Sequence, residues 1–460
     1  MTSLCLSGGT VLTMDQGRPF VEFGSVLIED GRIVEVLEGA VRHGETIDCR
    51  GRVVLPGLVN AHAHGLESLF RGAGGELALL PWIERTHALM DRLDREGAHI
   101  AGRLTAAEML RGGVTAYLDP EVPTDDRFDG VVTALEASGI RAGVTLLLED
   151  LGGYHHWSAR SEPNLTDQER GILDRWSPTS LVRPFIGPSV LSAITPDFAR
   201  AIRGEADARG VRIAFHCAEV EEDLADSTER GGGSPVEFGE AIGLVGSTSV
   251  LTHGVHLTAT DAAILASRDA SLVHCPSSNA KLGSGVAPIA LLVEHGVNVA
   301  LGTDGSVCND GHDMFQEMRL AALLQKAVRR DPAAMSPEQV LAMATVNGAR
   351  ALGVDAGRLA AGGLADVIVV DLDRLGSQPT PNLVDTLVYT GTREAVVDVI
   401  VGGEARVRNG KLVDVDLAGL LRTARAVAAQ AIEDAGLSSQ LRPRWAVPEE
   451  TAAGPASLRP

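Results

Sequence analysis

Residues 56–64 read Pro-Gly-Leu-Val-Asn-Ala-His-Ala-His, an apolar run that ends in two histidines separated by one residue. In extended backbone, residues two apart project from the same face, so His62 and His64 lie on one side, about 7 Å apart at Cα. Two imidazoles at this spacing can reach one cation at the Zn–N distance of about 2.1 Å. As ordinary core residues, the two rings would each need a separate hydrogen-bond partner. The stretch therefore predicts a buried strand that delivers two metal ligands.

Downstream of this stretch, apolar runs of strand length alternate with helical stretches, a pattern typical of βα units around a parallel sheet. The runs are almost continuously apolar, as expected of strands that are buried on both faces. Eight such runs precede residue 310, namely Val54–Val59, Val114–Leu118, Ala142–Leu148, Leu181–Ile186, Val211–Phe215, Ser249–Thr252, Ser271–Val273 and Asn298–Leu301. Eight βα units predict a closed (β/α)8 barrel.

The two ends of the chain differ from its middle. Short β-rich runs occupy residues 1–57, where Asp30-Gly31 predicts a two-residue hairpin turn, and strands return within residues 361–415. The simplest arrangement pairs both ends into one small β-sandwich domain beside the barrel. The predicted fold is thus α/β, a TIM barrel over residues 58–360 with this added domain. Residues 416–460 are predicted to form a C-terminal helix and a mobile tail.

Composition and charge exclude several classes of protein. The chain has 460 residues, of which 45% are hydrophobic and 22% charged, the balance of a soluble globular protein. Its net charge of −21 argues against nucleic-acid partners and anionic membrane surfaces. We find no apolar run long enough to span a bilayer and no signal peptide at the N-terminus. Five widely spread cysteines fit neither a disulfide framework nor a CxxC zinc pattern, so we expect a cytoplasmic protein.

Residues that can carry chemistry follow five predicted strands at their C-terminal ends, where a barrel builds its active site. Beyond His62 and His64 they are His216 and Glu219 after strand 5, His253 after strand 6, His274 after strand 7 and Asp304 after strand 8. His216 and Asp304 would complete a nitrogen-rich site with one carboxylate, which suits Zn²⁺, with Fe²⁺ or Mn²⁺ as substitutes. The roles of His87 and His274 stay open. We interpret the remaining histidines as ordinary core or loop residues: His43, His99, His155, His156, His256, His295 and His312.

Five motifs resemble those of the amidohydrolase superfamily: PGLVNAHAH (56–64), FHCAE (215–219), LTHG (251–254), VHCPSSNAKLGSG (273–285) and LGTDGSVCND (301–310). More narrowly, they are similar to the branch that contains adenosylhomocysteine/methylthioadenosine deaminases, oxopurine deaminases and triazine hydrolases. The similarity extends over nearly the whole chain. It implies that one divalent metal ion is held by His62, His64, His216 and Asp304. It also implies that Glu219 and His253 are acid/base groups.

The number of metal ions depends on residues near strand 4. Some members of the superfamily hold two metals bridged by a carbamylated lysine at the end of that strand. Here residues 181–188 contain no lysine, and the nearest one in sequence, Lys281, follows strand 7. A mononuclear site is therefore predicted, unless another carboxylate bridges.

The resemblance implies a metal-dependent hydrolytic deaminase that converts an amino-substituted nitrogen heterocycle (purine, pyrimidine, pterin or triazine) to its oxo product and ammonia. Asp304 would accept the proton of the attacking water, His253 would orient that water, and Glu219 would protonate a ring nitrogen. Two alternatives are a hydrolase of the same fold with another leaving group, such as a triazine chloro- or alkylaminohydrolase or a cyclic amide hydrolase, and a non-catalytic scaffold. The presence of Glu219 favours the deaminase, and the intact ligand set argues against the scaffold. Barrels of this branch are often homo-oligomers, so the resemblance implies a homodimer or homotetramer.

Four residues are candidates for binding the substrate. Trp82 occupies the place of an aromatic residue that stacks on the heterocycle, or it is an ordinary core tryptophan. Asp91 lies where adenosyl-type members present a carboxylate to ribose hydroxyls, or it is a simple loop acid. Ser189 and Cys308 replace a histidine and a serine of adenosyl-type members. Together with Asn309-Asp310 in place of paired asparagines, these departures favour oxopurine-like or triazine-like substrates.

Overall fold

The computed structural model describes residues 3–152, 160, 162–175 and 181–441. Its strands are, in chain order, β1 (Ser3–Leu12), β2 (Phe20–Glu29), β3 (Arg32–Glu38), β4 (Glu45–Asp48), β5 (Val53–Pro56), β6 (Leu58–Asn60), β7 (Val114–Val122), β8 (Arg141–Leu147), β9 (Val182–Gly187), β10 (Arg212–Cys217), β11 (Ser249–His253), β12 (Ser271–His274), β13 (Asn298–Leu301), β14 (Val367–Val370), β15 (Val396–Val401), β16 (Glu404–Arg408) and β17 (Lys411–Leu412). Its α-helices are α1 (Leu79–Met90), α2 (Arg95–Arg111), α3 (Asp126–Ser138), α4 (Asp167–Leu173), α5 (Pro196–Arg209), α6 (Glu221–Glu229), α7 (Pro235–Ala241), α8 (Ala259–Ser267), α9 (Pro276–Lys281), α10 (Ile289–Glu294), α11 (Met314–Arg329), α12 (Pro337–Met343), α13 (Val346–Leu352), α14 (Leu383–Thr390) and α15 (Leu417–Asp434).

Strands β6 to β13 form a parallel sheet in which neighbours in space are also neighbours in sequence. The two outermost strands approach each other, since the Ala61 N–H donates to the Leu301 carbonyl and the Asp304 N–H donates to the His62 carbonyl, both at 2.9 Å. The sheet is therefore a nearly closed barrel, and each predicted run overlaps one of its strands. Small and branched side chains from alternate strand positions fill the interior, among them Val59, Ala116, Leu118, Ala214, Val250 and Ala300.

Both ends of the chain enter a second, mixed sheet, as predicted. Its strand order is β17-β16-β15-β14-β5-β1-β2-β3, and β4 pairs with β1. The C-terminal β14 lies antiparallel to the N-terminal β5, with Val370 opposite Val53. The predicted hairpin turn at Asp30-Gly31 is present: both residues have positive φ, 46° and 79°, and Glu29 pairs with Arg32. The predicted (β/α)8 barrel with a small β-domain built from both ends is thus confirmed.

The predicted single strand Val54–Val59 is wrong in one respect, because the chain leaves one sheet and enters the other within it. β5 belongs to the mixed sheet and β6 to the barrel, with Gly57 between them. A Cβ atom on Gly57 would lie 2.0 Å from Thr115 Oγ1 of β7. The crossing therefore requires glycine, and the apolar run is continuous only because both sheets bury it.

Alanine at Gly57 is expected to destabilise the protein by about 1–3 kcal/mol, since the backbone or Thr115 must shift. Gly204→Ala is the matched control: Gly204 lies inside α5, and an added Cβ there meets no atom within 4 Å. This control is expected to stabilise the protein by about 0.5–1 kcal/mol, because alanine is the better helix former. Thermal unfolding of the two variants and the wild type would test both signs. A Gly57→Ala melting temperature at or above that of the wild type would contradict the steric argument.

The predicted C-terminal helix is present as α15, whereas the predicted tail beyond residue 441 lies outside the described residues. Among the helices that are described, we find none with the length and apolar character needed to cross a bilayer.

Candidate active site

Backbone strain marks the C-terminal end of the barrel. Ala218, His253 and Asp304 all have positive φ, at 53°, 76° and 63°. Such angles are uncommon outside glycine and cost free energy, so they persist where the surrounding structure imposes them, often at functional sites. The three residues follow or end strands β10, β11 and β13, where the barrel was predicted to build its site.

The four predicted metal ligands come together at this end. Asp304 Oδ1 lies 3.3 Å from His62 Nε2 and 3.3 Å from His64 Nε2. His216 Nε2 lies 3.3 Å from His64 Nε2. Ligand atoms bound to one tetrahedral zinc ion at about 2.1 Å lie about 3.4 Å from one another. These three separations are those of ligands that share one ion. Ligand atoms of His62, His64 and Asp304 all lie within 4.8 Å of one another, whereas His216 meets this limit with His62 and His253 or with His64 and Glu121.

The hydrogen bonds around the cluster fit a divalent cation. Within the described part of the chain, the buried His62 Nε2 has no hydrogen-bond partner. Its Nδ1 lies 3.0 Å from Thr252 Oγ1. His216 Nδ1 lies 2.7 Å from the Ser189 carbonyl oxygen, which can only accept, so this nitrogen carries the proton and Nε2 directs a lone pair at the cluster. Outer hydrogen bonds of this kind fix metal-binding histidines in proteins.

Electrostatics also suit the predicted ligand roles. Burial lowers the pKa of His62 well below its usual value and that of His216 to about 4, so both rings are neutral at pH 7. Burial opposes ionisation of Asp304, but its contacts with His62 and His64 outweigh burial and hold its pKa well below the usual range. At His64, burial lowers the pKa, but the carboxylates of Asp304 and Glu67 raise it to about 10. A cation that binds His64 must therefore displace a proton.

Glu219 and His253, the predicted acid/base groups, lie side by side next to the cluster. His253 Nε2 is 3.4 Å from Glu219 Oε2 and 4.0 Å from Asp304 Oδ2, while its Nδ1 lies 2.9 Å from Asn279 Oδ1. Burial raises the pKa of Glu219 to about 7, although Ser284 donates a hydrogen bond to it at 3.4 Å. A substantial fraction of Glu219 is therefore protonated at neutral pH, as a general acid requires.

Asp304 is held in a fixed orientation by two donors. The Ser278 hydroxyl donates to Oδ2 at 2.6 Å, and the Gly305 N–H donates to Oδ1 at 2.8 Å. Oδ1 faces the histidines and Oδ2 faces His253, so one carboxylate serves both the ligand cluster and the acid/base pair.

A cleft opens onto these groups. Its walls combine the polar cluster with the apolar side chains Leu79, Trp82, Ile83, Met90, Val190 and Leu282. Four of these belong to α1, which forms one wall of the cleft. An apolar wall facing a small number of fixed polar groups is typical of a site for a planar organic ligand.

The four predicted substrate residues have different locations. Trp82 lines the cleft, and so does Ser189, whose carbonyl positions His216. Asp91 follows the last residue of α1, 3.5 Å from Arg127 Nη1, and is not among the cleft residues. Cys308 is buried, with its Sγ 3.1 Å from the Gly305 carbonyl, and is likewise absent from the lining. Their roles toward the substrate stay predictions.

The histidines left open also have distinct places. His87 lines the cleft. His274 is buried at the end of β12, where burial lowers its pKa to about 3, and neither ring nitrogen has a hydrogen-bond partner among the described residues. His312 is a core residue, as interpreted from the sequence, because its ring nitrogens contact Ser68 Oγ and Thr303 Oγ1. His155 and His156 lie outside the described residues.

Three carboxylates that line the cleft were not predicted from the sequence: Glu67, Glu121 and Asp223. Asp223 accepts the Glu219 backbone N–H at 2.8 Å and so holds the segment that carries the acid. Glu121 follows predicted strand 2, so the strand-end rule applied to the other strands could have found it. Glu67 belongs to a 3₁₀ turn after β6, and no sequence pattern places it in the cleft.

Residues 53–411 match the amidohydrolase family. The 5'-deoxyadenosine deaminase of Methanosarcina acetivorans is 34% identical over 437 residues, which cover 94% of this chain and 99% of that protein. The 5-methylthioadenosine/S-adenosylhomocysteine deaminase of Syntrophobacter fumaroxidans is 35% identical over 434 residues, which cover 92% of this chain and 97% of that protein.

Two solved structures are also similar to this chain. An adenosine deaminase from Xanthomonas campestris with bound zinc superposes with a TM-score of 0.87 at 30% identity, covering 94% of this chain and 99% of that one. An atrazine chlorohydrolase from Arthrobacter aurescens complexed with zinc superposes with a TM-score of 0.82 at 25% identity, covering 92% and 100%. Deaminases and a chlorohydrolase thus share this architecture.

Proposed function

This chain belongs to the amidohydrolase family, and from that premise we propose that it is a metal-dependent deaminase of adenine-type nucleosides. It hydrolyses the C–N bond of an aminated heterocycle to give the oxo product and ammonia. Relatives named for 5'-deoxyadenosine and for 5-methylthioadenosine/S-adenosylhomocysteine support the nucleoside class. The observation that carries the proposal is the pairing of Glu219 with His253 beside the four-ligand cluster, at the base of one cleft.

The ligand set His62, His64, His216 and Asp304 would hold one divalent ion, for which we propose Zn²⁺, with Fe²⁺ and Mn²⁺ as alternatives. When bound, such an ion acts as a Lewis acid that makes water nucleophilic near neutral pH. His253 orients the nucleophilic water with its ring, which Asn279 holds from the far side. Asp304 Oδ2, steadied by Ser278, accepts a proton from that water.

Glu219 supplies the proton that activates the heterocycle. Protonation of a ring nitrogen makes the adjacent C=N carbon electrophilic, and water adds to that carbon as Asp304 takes one of its protons. Transfer of that proton to the exocyclic nitrogen releases ammonia, and the remaining hydroxyl proton returns to Glu219 as the ring carbonyl forms. Water thus replaces the amino group, and Glu219 must begin the cycle protonated. Its burial, which raises its pKa to about 7, meets that requirement. The apolar wall with Trp82 would contact the faces of the base.

A substrate panel tests the proposal. Metal-loaded protein is incubated with 5'-deoxyadenosine, methylthioadenosine, adenosine, aminated oxopurines, aminopyrimidines, pterins, and amino- and chlorotriazines, while ammonia, chloride and ultraviolet absorbance are followed. We expect ammonia from the adenine nucleosides. Ammonia from oxopurines or triazines alone would instead support the substrates that Ser189 and Cys308 favour, and chloride release would support the alternative leaving group. Ammonia from none of the aminated compounds would reject the deaminase.

Two further expectations carry over from the sequence. A homodimer or homotetramer and a cytoplasmic location stay predictions for this chain. Size-exclusion chromatography with light scattering would settle the first.

A further inference from the structure

Strand β7 contains an extra residue close to the active site. Asp119 pairs with Val144 and Val122 pairs with Leu146, so three steps along β7 correspond to two along β8. Pro120 lies within this interval and has no N–H to offer the ladder. The result is a bulge, a feature that redirects side chains next to active sites. Glu121, the residue after the proline, lines the cleft.

The Glu121 carboxylate approaches the outer side of a predicted metal ligand. Its Oε2 lies 3.7 Å from His64 Nδ1, and the two side chains are only 13% and 11% exposed. His64 Nε2 is directed at the cluster, 3.3 Å from Asp304 Oδ1, which leaves Nδ1 as the outer nitrogen. The separation is a little beyond hydrogen-bond length, within the range of an ion pair.

At the other histidines of the site, the outer ring nitrogen, Nδ1, lies next to an oxygen atom. The outer nitrogens of His62, His216 and His253 lie against Thr252 Oγ1, the Ser189 carbonyl and Asn279 Oδ1, at 2.7–3.0 Å. Each of these oxygens can accept the Nδ1 proton and leave Nε2 directed inward. At His64 the corresponding group is the Glu121 carboxylate, which carries charge where the others are neutral.

We propose that Glu121 is a positioning residue that accepts the Nδ1 proton of His64 and thereby tightens the grip of His64 on the metal ion. A carboxylate behind an imidazole fixes the ring orientation and the tautomer, and it raises the basicity of the nitrogen that faces the ion. The inference rests on the proposed metal centre and assigns to Glu121 no contact with the reacting atoms.

Distance alone would also allow a second ion, since ligand atoms of His64, Glu121 and His216 all lie within 4.8 Å of one another. The hydrogen bonds argue against it. His216 Nδ1 donates to Ser189, and its Nε2 faces the first cluster, so His216 has no lone pair for another ion. Of this group of three described residues, a second ion would be left with Glu121 and one nitrogen of His64. We therefore assign Glu121 to the support of His64 as a ligand of the first ion.

The test compares Glu121→Ala and Glu121→Gln with the wild type by competition for Zn²⁺ against a chelator of known affinity. We expect the alanine variant to bind Zn²⁺ about 10- to 100-fold more weakly. The glutamine variant keeps an acceptor without the charge, so its affinity should fall by about three- to tenfold. Glu84→Ala is the matched control, because Glu84 is an exposed carboxylate on α1 outside the cleft lining, and it should not change the affinity.

The absorption spectrum of the Co²⁺-loaded proteins gives a readout independent of activity. Its ligand-field bands should shift in Glu121→Ala and return toward the wild type in Glu121→Gln.

Wild-type affinity in both variants would overturn the proposal, and so would two ions per wild-type chain falling to one in Glu121→Ala. If the alanine variant does not fold, the glutamine variant decides alone by the same affinity criterion. A wild type that binds metal and releases ammonia while Glu121→Ala is unchanged refutes this inference and leaves the proposed function standing.

Discussion

Glu219→Gln is expected to retain the metal ion and to lower kcat by about 10²- to 10⁴-fold. Glutamine fills nearly the same volume and can still contact Ser284 and His253, so the ligand cluster should remain intact. It cannot, however, deliver a proton to the heterocycle. Metal content of the purified variant and steady-state ammonia release measure the two halves of the prediction separately.

The pH dependence gives the same prediction a second test. Glu219 must be protonated to act as the acid, and burial raises its pKa to about 7, so kcat should fall as the pH rises through about 7. The residual rate of Glu219→Gln should lack this alkaline limb, because the amide does not ionise. Glu222→Gln is the matched control, since Glu222 is exposed on α6 three residues further along. Near-wild-type turnover of Glu219→Gln would remove Glu219 from the mechanism.

Asp304→Asn is expected to weaken metal binding and to lower activity by about 10³-fold or more. When residues act as one catalytic unit, losing one of them costs about as much rate as losing all of them. Asp304 Oδ1 lies 3.3 Å from both His62 Nε2 and His64 Nε2, so its negative charge is central to the cluster. The same carboxylate is the proposed proton acceptor, so the amide removes two functions at once. Elemental analysis after desalting, together with the ammonia assay, would measure both losses.

Asp331→Asn controls for a general effect of losing one charge, because Asp331 is exposed just after α11. Its Oδ1 accepts a hydrogen bond from the Ala333 N–H, which the side-chain oxygen of asparagine can also accept. Chelator treatment of the wild type should produce a comparable loss, and adding back Zn²⁺, Fe²⁺ or Mn²⁺ separately would identify the ion that restores activity. An Asp304→Asn variant with full metal content and normal turnover would exclude the proposed centre.

Most of the ligand cluster was predictable because the rules involved are local. The alternation of side chains along a strand puts His62 and His64 on one face. Parallel strands in a barrel end at the same side, so residues that follow them converge. That rule also predicted His216, His253 and Asp304 at this side, and the structure places their side-chain atoms 3.3–4.0 Å from partners in the cluster.

The substrate candidates were predicted less well, because similarity to a family supplies a position in sequence but not a direction in space. Trp82 faces the cleft from α1, but Asp91, nine residues later, lies beside Arg127 instead. Ser189 contributes through its backbone carbonyl, an atom that every residue type carries. Residue identity alone could not have indicated that contact.

The amino-acid sequence by itself determined the barrel, the β-domain built from both ends, and the set of residues at the strand ends, since burial and backbone periodicity act over a few residues. Only the tertiary structure decided that Thr115 packs against Gly57 where the chain crosses between the sheets, and that the bulge at Pro120 turns Glu121 toward His64. Both depend on how closely two separate elements pack, and that distance arises from side chains far apart in the chain.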